Sequence, residues 1–183
     1  MKFSVKKIVK IIATLPVILV VALALLLQGF QLFGLEPYSV LSGSMESVYP
    51  TGSLIYITKT NPAELAVNDV ITFRMANGAI ATHRIVELVP DETDTSVSRF
   101  RTKGDENEIA DGTLVDFNSV VGKPVFCIPF LGYLATYISQ PPGKYVALAV
   151  ASALFLLEAL IGVLLDDKGE GKNQKRHIGE VDL

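Results

Sequence analysis

VITFRMANGAIATHRIV, residues 70–86, reads as two strands joined by a turn. Val70–Arg74 and Ile80–Val86 alternate apolar and polar residues with period two and are rich in β-branched side chains, which suits a half-buried pleated surface. Between them Asn77-Gly78 is the dipeptide of a two-residue type I′ hairpin. Working outward, Ser53–Thr58 alternates in the same way, and Val97–Lys103 and Val120–Ile128 supply two more strands. Asn61-Pro62 and Pro90-Asp91 mark turns between them. Residues 34–143 therefore read as one small, mostly antiparallel β domain.

Apolar runs flank this domain. Ile11–Leu27 holds 17 residues, of which only Thr14 and Pro16 are not hydrophobic, and it continues weakly to Phe33. Tyr145–Leu165 holds 21, broken only by Ser152, Glu158 and Gly162. A membrane-spanning helix needs about 17–25 such residues, so residues 11–33 and 144–165 read as two spans. The N-terminal run is too long for a cleaved signal peptide, and Gln28-Gly29-Phe30-Gln31-Leu32 lacks the small residues of a cleavage site, so an uncleaved anchor is expected. Four lysines within residues 1–10 precede the first span, and Lys168, Lys172, Lys175 and Arg176 follow the second. Both ends are thus expected on the cytoplasmic side of the plasma membrane, with the β domain on the extracytoplasmic face. The tail, residues 166–183, lacks apolar periodicity and reads as disordered. The fold expectation is a mainly β class: a small antiparallel ectodomain between two transmembrane helices.

Charge and cysteine content narrow the chemistry. The chain has 183 residues, a net charge of -3 and one cysteine. The segment 34–143 carries seven basic and thirteen acidic residues, a balance of -6 (7 − 13). No attraction to phosphate backbones follows, and nucleic acid is not an expected partner. Cys127 cannot close an intrachain disulfide, and with two histidines, one of them His177 in the tail, no multi-imidazole or thiolate metal site can be assembled. The acidic stretch Asp105–Asp116 fails as a calcium loop, because Ala110 stands where glycine is required and Asp116 where glutamate is. Neither a metal nor any other cofactor is expected.

The remaining chemistry is a hydroxyl nucleophile, a histidine base and a carboxylate that orients it. Leu41-Ser42-Gly43-Ser44-Met45-Glu46 offers Ser44 on a tight turn, His83 is the one histidine of the domain, and Asp105 or Asp111 supplies the carboxylate. Each of these residues has an ordinary reading as linker, half-buried strand residue or solvated turn. Their order along the chain carries the weight. A sortase-like cysteine transpeptidase using Cys127 with His83 and Arg84 or Arg101 is a second reading, though Cys127 has the surroundings of a buried structural thiol. A non-catalytic scaffold binding secreted proteins is a third.

Ser42-Gly43-Ser44-Met45-Glu46, Asn68-Asp69-Val70-Ile71-Thr72-Phe73, Thr82-His83-Arg84-Ile85-Val86 and Thr102–Asn107 continuing to Asp111 together resemble the type I signal peptidases. The branch is that of the endoplasmic reticulum, archaea and sporulating Gram-positive bacteria, since the ordinary bacterial enzymes carry lysine where His83 stands. The resemblance implies Ser44 as nucleophile, His83 as general base and Asp111 as the third member of the triad, with Asp105 in a supporting role. It implies an oxyanion-hole helper in Ser42, and Met45 and Ile55 as walls of shallow pockets for small substrate side chains. Two departures stand out: Asn68 replaces a glycine, and Ser47 replaces the usual proline. The resemblance implies a membrane-bound serine endopeptidase whose partners are the signal peptides of secreted pre-proteins and the lipid bilayer. Glu158, the one charge within Ile11–Leu27 or Tyr145–Leu165, is expected to face the first span as a neutral side chain or to contact a second membrane subunit.

Overall fold

The computed structural model of the chain describes residues 5–90 and 98–178. They form two compact units, one of residues 5–26 with 140–178 and one of residues 27–90 with 98–139.

The first unit contains α1 (Val5–Gln28), with Pro16 inside it, and α3, a helix from Gly143 to Ile178. Lys7–Phe33 and Gly143–Leu164 are long and apolar enough to cross a membrane. Where a disordered tail is expected, the helix continues from the apolar run through the polar segment to Ile178. Extending an existing helix adds a hydrogen bond per residue without a new nucleation cost. The Thr14 hydroxyl donates to the Lys10 carbonyl at 2.9 Å and lies 3.4 Å from Glu158 Oε1, so the Glu158 side chain meets α1.

The second unit is built on a six-stranded sheet in the order β1-β2-β6-β3-β4-β5: β1 (Leu35–Ser39), β2 (Leu54–Thr58), β3 (Val70–Arg74), β4 (Ile80–Pro90), β5 (Ser98–Lys103) and β6 (Val120–Ile128). All pairings are antiparallel. β6 holds the two halves together: Lys123–Ile128 pairs with β2, and Val120–Gly122 pairs with β3. One half buries Leu65, Ile71, Phe73, Ile85, Phe100 and Val115 as a core. The other buries Leu54–Ile57 and stacks Tyr56 on Phe126, with Phe30 edge-on to both. The short helix α2 (Leu131–Ser139) follows β6, and the Tyr133 N–H donates to the Gly52 carbonyl at 3.2 Å.

All five expected strands are present; β4 runs past the expected end at Val86 to Pro90, and Val97, expected to open β5, lies outside the described residues. Three features differ. The two apolar helices are long, α1 running from Val5 to Gln28 and α3 from Gly143 to Ile178, so mainly β describes the sheet unit but not the chain. The β3–β4 turn is not type I′. That turn needs positive φ at both central residues, whereas here Gly78 (φ 83) takes the left-handed position and Asn77 does not. The Gly78 N–H and the Ala79 carbonyl both pair with Met75, which makes a three-residue loop closed by glycine. Finally, β1 contains Pro37, a residue that reads against a strand but is tolerated here because β1 is the sheet edge.

Candidate active site

Ser44 sits on the turn between β1 and β2. The Glu46 N–H donates to Gly43 O at 3.1 Å, and the Val48 and Tyr49 N–H groups both donate to Met45 O, so the chain reverses around a buried Met45. The Glu46 carboxylate closes the turn by accepting from the Thr51 hydroxyl (2.6 Å) and N–H (2.9 Å), and these bonds hold its pKa below the ordinary carboxylate value.

His83 lies on β4 opposite Ile71, with the Phe73 ring edge-on to the imidazole at 6.1 Å. Its side chain is 14% exposed. Nδ1 is 2.6 Å from Asp111 Oδ2, and Nε2 is 3.0 Å from Ser44 Oγ. An ionised carboxylate only accepts hydrogen bonds, so Nδ1–H donates to Asp111, which leaves the Nε2 lone pair facing the serine hydroxyl. The same Oδ2 accepts from the Thr102 hydroxyl at 2.6 Å, and the Asp111 N–H donates to Thr102 O at 2.8 Å. Thr102 therefore holds Asp111 twice, its hydroxyl on the carboxylate and its carbonyl on the backbone N–H.

The loop between Thr102 and Asp111 also grips the serine turn. The Glu106 N–H donates to Ser44 O at 3.0 Å, the Ser47 N–H donates to Glu106 Oε1 at 3.2 Å, and the Asp105 N–H points to Met45 Sδ at 3.2 Å. The Ser47 bond explains what the chain does with the proline position noted above, because proline has no N–H to donate. Gly104 packs so closely that a Cβ there would stand 2.6 Å from Ser44 O and 2.8 Å from Ser44 Cβ.

Asp105 forms a two-pronged ion pair with Arg84, at 2.9 Å to Nε and 2.6 Å to Nη2. Arg84 Nη1 donates to Asn68 O at 2.9 Å. Asn68 adopts φ 78, the left-handed region where glycine is favoured and asparagine is the next most tolerant residue. The hydrogen bond from Arg84 holds the Asp105 carboxyl below its ordinary pKa, and that from Lys123 does the same for Asp69. A depressed carboxyl contributes stability that is present above the unfolded value of about 3.9 and is lost as pH falls through the lower folded value. Thermal unfolding should accordingly show a midpoint that drops steeply below about pH 4, and Asp105→Asn should flatten that acid limb. An unchanged limb in the variant would remove the ion pair from this account.

Ser44, His83 and Asp111 are brought together, and Ser42 Oγ lies 3.4 Å from Ser44 Oγ. Met45 and Ile55, expected as pocket walls, are each only 2% exposed and lie beneath the surface. Thr102, Gly104, Glu106 and Arg84 were not expected in positioning roles. The first three stand inside the segment already singled out for its carboxylates, and Arg84 follows the histidine directly. Cys127 is in register with Ile55 on β6, and both nitrogens of His83 are engaged elsewhere. Among the described residues no group of three or more His, Cys, Asp or Glu side chains is placed to hold a metal. A cavity of about 790 Å³ opens beside His83 and Asp111, under the β3–β4 loop.

No family model matches the chain. It is 30% identical over 128 residues to the signal peptidase complex catalytic subunit SEC11C of Homo sapiens, an alignment covering 65% of this chain and 66% of that one. It is 43% identical over 89 residues to signal peptidase I W of Bacillus subtilis, covering 48% of this chain and 45% of the relative. With the SEC11 subunit of Schizophyllum commune it shares 28% over 141 residues, 65% of this chain and 73% of that one. The match to the mammalian relatives thus stops just short of two thirds of their length. With the ordered sequence segments and their convergence on one site, these alignments make the chain similar to the type I signal peptidases over about half to two thirds of its length.

Proposed function

We propose that the chain is a membrane-bound serine endopeptidase that removes N-terminal signal peptides from exported proteins after small residues, through an acyl-enzyme. The observation that carries this reading is the Ser44–His83–Asp111 relay. As the Ser44 oxygen attacks the scissile carbonyl, Nε2 takes the hydroxyl proton, and Asp111 stabilises the resulting imidazolium while keeping the ring in the required tautomer. Ser42 supports the developing oxyanion. The proton on Nε2 then passes to the departing amine, and a water molecule deacylates Ser44 by the reverse sequence.

Ile80–His83 of β4 pairs with β3, whereas the pairing of β4 with β5 covers Arg84–Pro90. Among the described residues no strand covers the other edge of Ile80–His83, and an extended substrate adding there as a strand would bring its backbone past Ser44. Ser44 follows Phe33, at the end of the first apolar segment, by eleven residues, and at most ~3.3–3.6 Å per residue that keeps the serine within reach of a bilayer surface. The proposed setting is a two-pass protein of the plasma membrane with the sheet unit on the extracytoplasmic face.

A fluorophosphonate probe tests the reading. Labelling is expected at Ser44 in the wild-type chain and is expected to disappear in His83→Ala, where the hydroxyl has lost its base. Labelling at Cys127 by a thiol-directed substrate analogue, with none at Ser44, would turn the assignment to a cysteine transpeptidase. Labelling at neither would leave a binding scaffold.

A further inference from the structure

The relay uses one side of His83, and the cavity lies on another. Its apolar floor is made by Phe73, Leu114 and Val120, its rim carries Arg74 and Asn118, and His83 and Asp111 stand at one end, while neither Ser42 nor Ser44 lines it. Side chains alternate along β4. Ala81 and His83 share the face of Phe73 and Ile71, and Thr82 points to the opposite face, where its hydroxyl meets that of Thr72 at 2.8 Å. The cavity is on the His83 face. We propose that it binds the first residues of the segment released by cleavage, as an extended peptide with an apolar side chain seated on Phe73, Leu114 and Val120.

The inference rests on the serine peptidase reading and follows from proton bookkeeping. When the tetrahedral adduct collapses, the bond between Ser44 Oγ and the carbonyl carbon stays. The carbon–nitrogen bond breaks, its electron pair goes to nitrogen, and the proton on Nε2 follows it. The departing nitrogen must therefore lie within hydrogen-bond reach of Nε2, and the chain attached to it leaves on the imidazole side. The acyl half remains on Ser44, away from the cavity. At about 790 Å³ the space lies within the range of small-ligand sites and holds several residues of an extended chain. Leu114 is half-buried and outside the buried core, so it is available to a ligand without being needed by the fold.

The test uses the full-length chain in detergent and peptides that share one signal-side sequence. They carry after the scissile bond either a simple amide, roughly four residues with an apolar side chain, or the same length with acidic ones. For the wild-type chain, kcat/KM should rise roughly tenfold from the amide to the apolar extension and fall again for the acidic one. Leu114→Asp should lose that gain while matching the wild type on the amide substrate and in fluorophosphonate labelling of Ser44. The substrate series needs no variant, so a poorly folded Leu114→Asp leaves the proposal testable. A wild-type enzyme that cleaves all three peptides equally well overturns the cavity assignment and leaves the peptidase reading intact. One that neither cleaves nor labels overturns the peptidase reading, and the cavity assignment with it.

Discussion

Ser44→Ala, His83→Ala and Asp111→Ala should each reduce signal-peptide cleavage by on the order of 10⁴–10⁶-fold, with the protein still inserted in membranes. The expectation comes from the relay itself. Each member acts only through its neighbour, since the hydroxyl is a weak nucleophile without Nε2, and Nε2 presents its lone pair only while Nδ1–H is donated to Asp111. Losses should therefore not add, and the Ser44→Ala, His83→Ala double variant should be no worse than the more damaged single variant. Asp105→Ala separates catalysis from scaffolding. Its carboxylate bonds to Arg84 and not to the imidazole, so the variant should lose thermal stability while the folded fraction keeps most of its activity. Turnover of a pre-protein by detergent-solubilised enzyme, set against a melting curve for each variant, decides these points. Normal cleavage by His83→Ala would end the triad assignment, and a catalytic loss from Asp105→Ala as deep as that from Asp111→Ala would exchange the two carboxylates.

The second large effect is expected from a residue with no side chain. Gly104→Ala places a methyl group 2.6 Å from the Ser44 carbonyl oxygen and 2.8 Å from Ser44 Cβ, distances that force the serine turn to move. Misplacing a reacting group by about 1 Å costs roughly 10²-fold in rate, so a loss of that size in kcat is expected. KM should change little, because the clash moves the reacting hydroxyl and not the backbone of Ile80–His83, along which the substrate is proposed to pair. Labelling of Ser44 should slow in parallel with turnover. A Gly104→Ala enzyme with normal kcat would show that the turn and the loop can separate without consequence.

The strands of the sheet unit were legible because alternation and β-branching are local properties, and β3 and β6 end where the pattern ends. β1 was not, since Glu36-Pro37 argues against a strand unless its position at the sheet edge is known. α2 was hidden for a related reason: its nine residues follow Phe130 without a capping signal and run towards the second apolar segment. The turn type at Asn77-Gly78 was misread because the dipeptide serves two loops that differ in how many central residues take positive φ. In the site, the three chemical groups could be named from residue type and order, but not the means by which they meet. The Thr102 hydroxyl on Asp111 and the Glu106 amide on Ser44 depend on how one loop folds across another, and no periodicity encodes that. Arg84 reads as a neighbour of the histidine and as a possible partner for thiol chemistry, and its pairing with Asp105 required the register of β4 against β5.

The loop from Thr102 to Asp111 has a consequence for how this protein can change over time. Its amides and side chains hold the serine turn at one end and the imidazole's carboxylate at the other, so the span between Gly104 and Asp111 works as a ruler. A residue inserted or deleted there shifts Ser44 relative to Asp111, whatever the identity of the residue. The same length change at the tip of the β3–β4 hairpin alters only the rim of the neighbouring cavity. Drift in this chain is thus constrained by length on one side of the imidazole and by composition on the other.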